Sequence, residues 1–258
     1  MLESFRTADP ILQAFIATLG TYLLTALGTV PVLFFRSAPR RLLDGMMGFA
    51  AGVMVAASCW SLLVPAIERG GVTVATIGFL LGAAFLFGAD QVLPHLHGEF
   101  LEEASAEGPR VPWGRSSLLM LAMTLHNFPE GMAVGVAFGG AELGSAVALA
   151  IGIGLQNIPE GLAIALPLRR GGMSPRRAFF WGQASAAIEP VGGVLGAWLV
   201  LASGAFLPYG MAAAAGAMLY VVVEELIPET VRNGVADLLT LGFIAGFATM
   251  MALDNGLG

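Results

Sequence analysis

Lysine is absent; all twelve basic residues are arginine. Charge of either sign is scarce, at 12% of 258 residues, about half of what a soluble domain carries. A chain so poor in charge, 57% hydrophobic and with mean hydropathy +0.80, belongs in a bilayer. Cysteine is nearly missing as well. The single Cys59 excludes an internal disulfide and a cysteine-built zinc site, and its apolar surroundings mark it as a small buried hydrophobe. There is no basic, aromatic-interleaved patch, so no nucleic-acid partner is expected. A cleaved signal peptide is not expected either. Met1 to Pro10 holds one arginine and two acids, and the apolar run that follows is long enough to span.

What the chain does have is long apolar runs. A helix needs roughly 20 apolar residues to cross the hydrocarbon core. Eight runs qualify, at about Pro10–Phe35, Leu43–Ile67, Val72–Leu93, Ser116–Phe138, Leu143–Leu168, Ala178–Ala202, Phe206–Ile227 and Val235–Leu253. The expected fold is all-α: a polytopic membrane protein with eight transmembrane helices in a single domain over residues 1–258. Glu68-Arg69-Gly70-Gly71 reads as the loop between spans two and three. One connection is long, at about 94–115, and it carries His95, His97 and four glutamates. Ten arginines fall in odd-numbered loops, and only Arg6 and Arg69 fall on the other side. By the positive-inside rule the odd loops are cytoplasmic and both termini lie outside the cytoplasm. The spans are rich in glycine, alanine and serine, which lets membrane helices approach closely.

One polar pattern interrupts this background. Leu125-His126-Asn127-Phe128-Pro129-Glu130-Gly131 in span four is nearly copied thirty residues later as Leu155-Gln156-Asn157-Ile158-Pro159-Glu160-Gly161 in span five. A weaker echo links Gly52-Val53-Met54 and Pro65 in span two to Gly216-Ala217-Met218 and Pro228 in span seven. Internal repeats of this kind are common in transporters. At about 1.5 Å per residue, Met54, His126, Glu130, Gln156, Asn157, Glu160 and Glu189 all fall near the midplane. Ionised carboxylates there cost at least a few kcal/mol each. No arginine lies at that depth to pair with Glu130, Glu160 and Glu189. The missing partner is then a proton or a cation.

Helical spacing sharpens the pattern. His126 and Glu130 are i,i+4, as are Gln156 and Glu160; Asn127 and Glu130 are i,i+3, as are Asn157 and Glu160. Pro129, Pro159 and Pro190 each remove a backbone hydrogen bond beside a polar residue, which predicts kinks with freed carbonyls. Imidazole, carboxylate, amide oxygen and a thioether together suit a divalent transition metal bound reversibly. Glu189 reads as a ligand or a buried protonated acid, and Met54 as a ligand or simple core. Asp90, His95 and His97, at the cytoplasmic end of span three, are either a helix end or a metal exit. Glu224, Glu225 and Glu229, at the end of span seven, are either solvated or metal-passing. Glu68 and Asp254, at outer span ends, are candidate entrance groups.

His126-Asn127-Phe128-Pro129-Glu130-Gly131, Gln156-Asn157-Ile158-Pro159-Glu160-Gly161 and Ala187-Ile188-Glu189-Pro190 resemble the ZIP family of metal transporters. The Gln-Asn form in span five resembles its bacterial GufA-like branch. The resemblance covers essentially the whole chain. It implies an importer of divalent metal, usually zinc and often cadmium, iron or manganese, in the bacterial cytoplasmic (inner) membrane, with no resident cofactor. It implies a two-metal centre. The first site would use Met54, His126, Glu130, Gln156 and Glu160. The second would use Asn127, Asn157 and Glu189 with Glu130 and Glu160 bridging. Members with aspartate where this chain has Asn157 carry one more negative charge there. The resemblance further implies a homodimer and an elevator-like movement of four central helices. Two other classes share the composition: an intramembrane metal-dependent hydrolase, which would add substrate turnover, and a proton-coupled carrier of another solute, which would work without divalent metal.

Overall fold

The helices follow from local sequence and packing. Asp9 accepts a hydrogen bond from the amide of Ile11 at 2.8 Å, and Pro10 opens the next helix, where its missing N–H costs nothing. Apolar runs then continue for the length of a bilayer. The computed structural model describes residues 2–93, 95–97, 105–107, 115–227 and 236–257, with the side chains of residues 2, 95–97, 105–107, 115, 116 and 236 left aside. Arg110, Glu229 and Arg232 lie outside the described residues, and so do the side chains of His95 and His97.

The elements in order are α1 Leu2–Arg6, α2 Pro10–Thr29, α3 Arg40–Ala56, α4 Val64–Val92, β1 His95–His97, β2 Ser105–Glu107, α5 Arg115–Gly140, α6 Leu143–Arg170, α7 Pro175–Ala184, α8 Glu189–Ala202, α9 Phe206–Val221 and α10 Ala236–Leu257. Short 3-10 turns at Val30–Leu33 and Ser185–Ile188 extend α2 and join α7 to α8. π-helical stretches at Ala57–Leu63 and Val222–Leu226 continue α3 and α9. Among the described residues, six helical runs are long and apolar enough to cross a membrane: Pro10–Leu33, Arg40–Val92, Leu143–Arg170, Pro175–Ala202, Phe206–Leu226 and Asp237–Leu257.

Two local expectations need correction. The connection at residues 68–71 is no loop: helix runs on either side of Gly71, whose φ of 79° and ψ of 166° break the 53-residue run Arg40–Val92 in two. Only glycine takes that conformation without strain. The loop after α4 is not wholly irregular, because β1 pairs antiparallel with β2, His95 opposite Glu107 and His97 opposite Ser105. Everything else with regular structure among the described residues is helical. The helices α5 and α6 carry Pro129 and Pro159 inside them, and at Pro190, as its missing N–H leads one to expect, a 3-10 turn Ser185–Ile188 hands over to α8.

The helices pack in two sets. Helices α2, α5, α6, α7 and α8 lie chiefly against one another, whereas α3 packs on α10 and α4 on α9. Contacts of α6 with α3 and α10, and of α5 with α9, join the sets. Outward faces are greasy: Leu23, Leu80, Leu81, Phe85, Trp198 and Leu241 are all exposed, as lipid-facing helices require. Inside, α2 turns Thr18, Thr21, Thr25 and Thr29 inward along its length, all buried.

Three contacts define one end of the bundle. Phe5 meets Phe138 edge-on at 6.0 Å. Arg69 Nη1 donates to the carbonyl of Gly140 at 2.7 Å. Ser61 Oγ donates to Asp254 Oδ1 at 2.8 Å. The N-terminal helix, the Gly71 break, the end of α5 and the end of α10 therefore share a side.

Candidate metal centre

The two motif copies face each other from α5 and α6, and their glycines explain how closely. A Cβ on Gly131 would run into the backbone of Glu189, and a Cβ on Gly161 into the backbone of Thr25. The same position in each copy thus draws in a neighbouring helix, α8 in one case and α2 in the other. Small residues do this in membranes because packing, not the hydrophobic effect, holds the helices.

His126, Asn127, Glu130, Gln156, Asn157, Glu160 and Glu189 are all buried, Gln156, Asn157 and Glu189 completely. Gln156 Nε2 donates to Glu130 Oε1 at 2.7 Å and to Asn157 Oδ1 at 2.8 Å. Asn157 Nδ2 donates to Glu189 at 3.0 and 3.1 Å and to the Thr21 carbonyl at 3.2 Å. Thr21 and Thr25 hydroxyls complete the shell of Glu189, Thr25 at 3.5 Å. His126 Nε2 is in hydrogen-bonding contact with Glu225, from the π-helical stretch after α9. One continuous polar network therefore links α2, α5, α6 and α8, while His126, one turn from Glu130 on α5, carries its own contact to Glu225.

The network is unevenly satisfied. Glu189 is held by four donor contacts. By contrast, Glu130 Oε2 and Gln156 Oε1 are buried without a hydrogen-bond partner, as is Asn127 Nδ2. An unpaired buried acceptor costs about 1–3 kcal/mol. Two such oxygens on side chains that touch each other are a deficit a cation removes. Among the described residues, no three of His, Cys, Asp and Glu close on a common point. Carboxylate and amide oxygens together suit a labile divalent ion rather than a trapped structural one.

The other residues singled out in the sequence fall as follows. Met54 is buried in the apolar core on α3, a helix that packs against α6. Glu160 is buried on α6, and Asp90 is buried near enough to His126 to act on it electrostatically. Glu225 lies closer in than a helix-end residue would, because it touches the imidazole itself. Glu68 is exposed at the Gly71 break, and Asp254 is half-buried against Ser61. Thr21 and Thr25 escaped the sequence reading. Their one signal is that four threonines on α2 recur at helical spacing in an otherwise apolar span.

A bilayer-length helix bundle with a buried carboxylate–amide–imidazole cluster defines an integral membrane protein with a candidate cation site. Comparison with known proteins agrees. The family model described as ZIP Zinc transporter matches residues 112–254. Human zinc transporter ZIP11 is 40% identical, over 96% of this chain and 98% of its own length. Zinc transporter GufA of Myxococcus xanthus is 40% identical over 91% of this chain and 94% of its own. Zinc transporter ZIPB of Bordetella bronchiseptica is 40% identical over 91% and 78%. The chain belongs to the ZIP family of zinc transporters. That is a family of transporters and not of enzymes, which sets aside the intramembrane hydrolase.

Proposed function

We propose that the protein carries divalent transition metal, zinc before cadmium, iron or manganese, across a bacterial cytoplasmic membrane into the cytoplasm. The observation that carries this reading is the pair of donorless buried oxygens on Glu130 and Gln156. With His126, Glu160 and Met54 they form the set that takes the transported ion. Asn127, Asn157 and Glu189, with the bridging glutamates, form the second half of a two-metal centre. In the present hydrogen-bonding pattern Glu189 is engaged by Asn157, Thr21 and Thr25. A second ion therefore requires those bonds to be exchanged.

Eight spans cross the membrane in this reading: the run Arg40–Val92 supplies two, divided at Gly71, and α5 supplies one of its own. Both termini are outside. The internal repeats are supported by the π-helical stretches that follow Met54 and Met218 alike. The division of the helices into two sets supports an elevator-like movement of α2, α5, α6, α7 and α8 against the rest, in a homodimer. Ions enter past Glu68 and Asp254 and leave past Asp90, Glu225 and the His95–His97 segment. Zinc uptake into proteoliposomes tests the assignment, with cadmium, iron and manganese as competitors. Glu160→Ala and His126→Ala should each abolish most uptake while the protein remains folded by gel filtration. Uptake at the parental rate in either variant rules the site out.

A further inference from the structure

The joint between α6 and α7 has a chemistry of its own. Arg169, Arg170, Arg176 and Arg177 fall within nine residues, and no acid occurs between Glu160 and Glu189. Among the described residues, the ion pairs are Arg40 with Asp44 and His126 with Glu225, so Arg170, Arg176 and Arg177 have no carboxylate partner. Arg169 is used locally: its Nη1 donates to the Met173 carbonyl at 3.2 Å and braces the turn. The turn is closed by Met173 N bonding to the Leu168 carbonyl at 3.2 Å, with Gly172 at φ 97°. The turn and the first two turns of α7 frame an open cavity of ≈ 740 Å³, lined by Gly171, Gly172, Met173, Ser174, Arg177 and Trp181.

Its lining is of two kinds. Arg177 and Trp181 are one turn apart, on one face of α7. Ser174 caps α7 by position, but its hydroxyl makes no capping bond. The hydroxyl is thus a donor at the cavity wall, beside a guanidinium fork suited to oxygen-rich anions. The second kind is apolar. Trp181 is 46% exposed and Phe180 56%, their rings packed edge-on at 5.4 Å. Exposed aromatics beside arginines at the end of a membrane helix sit at headgroup depth.

We propose that this cavity binds the phosphate headgroup of an anionic phospholipid. Arg177 and Ser174 take the phosphate oxygens. Trp181 and Phe180 pack the glycerol and the upper acyl chains. Inorganic phosphate would share the polar contacts and make no use of the aromatics, which is why a lipid is the source. The location adds a consequence. α6 carries Gln156, Asn157 and Glu160, and the α7–α8 run carries Glu189, so a bound headgroup sits at the joint between two helices that meet at the polar cluster. The site stands on its own, whatever ion the cluster carries.

The test uses the full chain in phosphatidylcholine nanodiscs, doped with phosphatidylglycerol, with retained lipid counted by native mass spectrometry. The parent should retain phosphatidylglycerol in preference to phosphatidylcholine. Arg177→Gln should lower that preference about fivefold, the equivalent of about 1 kcal/mol for one arginine near a membrane surface. Arg177→Lys, which keeps charge and loses the fork, should fall between. Arg41→Gln, a change outside the cavity, should leave the preference unchanged. Arg177 is exposed, and a melting temperature equal to the parent's in both variants confirms that folding is intact. Equal retention by Arg177→Gln and the parent overturns the proposal, and so does an equal loss in Arg41→Gln, which would mean diffuse surface charge. Displacement of phosphatidylglycerol by inorganic phosphate, dependent on Arg177, overturns the lipid assignment.

Discussion

Replacing Asn157 by aspartate turns a donor into an acceptor in the middle of the buried network. The Asn157 amide nitrogen has two hydrogens, and it directs them to Glu189 at 3.0 and 3.1 Å and to the Thr21 carbonyl at 3.2 Å. The bond that Gln156 gives to Oδ1, at 2.8 Å, can survive the change. What is lost is about two hydrogen bonds' worth of donation, mostly to a carboxylate, each contributing about 1.5 kcal/mol or more. The loss is then about 3 kcal/mol; at about 2–4 °C per kcal/mol for a domain of this size, the metal-free melting temperature falls by about 6–12 °C. The substitution also places a second carboxylate beside Glu189, and a divalent cation between them offsets the repulsion. Zinc should therefore raise the melting temperature of Asn157→Asp by more than it raises the parent's, and bound zinc per chain should increase. The assay is thermal unfolding of purified protein with and without zinc, alongside elemental analysis. A metal-free variant within about 2 °C of the parent, less than about 1 kcal/mol, with the same zinc-induced shift, would refute the view that the amide of Asn157 holds Glu189.

Other perturbations read neighbouring parts of the network. Gly161→Ala drives a methyl into the backbone of Thr25, and Gly131→Ala drives one into that of Glu189; each should cost about 1–3 kcal/mol, measured as a lowered melting temperature. Thr21→Val removes a hydroxyl that Glu189 accepts from, at a cost of about 1.5–3 kcal/mol. Thr21→Ser should recover most of that stability; failure of serine to do so would mean that the methyl, not the hydroxyl, matters.

Hydropathy made the helices legible because a bilayer leaves the backbone few options. Among the described residues the apolar runs read from the sequence lie in helical segments, six of them long and apolar enough to cross a membrane, and one misjudged feature was local: residues 68–71 read as a loop because glycine pairs usually mark one, yet a single positive φ at Gly71 suffices to break the helix. The motif residues were legible because ionisable groups at the midplane are costly and stand out. Thr21 and Thr25 were not, since a threonine in a span reads as ordinary packing, and only the approach of α8 shows what the hydroxyls do. Glu225, at the end of its span, reads in the sequence as either solvated or metal-passing, with nothing to pair it with His126. It reaches His126 from a π-helical stretch, and the wider turn of such a stretch changes which side chains face the bundle interior, something helical periodicity does not anticipate.

The contacts of Phe5 with Phe138, Arg69 with Gly140 and Ser61 with Asp254 gather Glu3, Asp9, Glu68, Glu142 and Asp254 at one end of the bundle, against only Arg6 and Arg69. On the entry route proposed above, that end is an antenna. A surface potential acts on a divalent ion with twice the weight it has for a monovalent one, so zinc is enriched there over sodium or potassium before any ligand is touched. Capture becomes a question of ionic strength: the field reaches about 30 Å at 0.01 M salt and about 8 Å at 0.15 M, and the rate of first encounter falls accordingly.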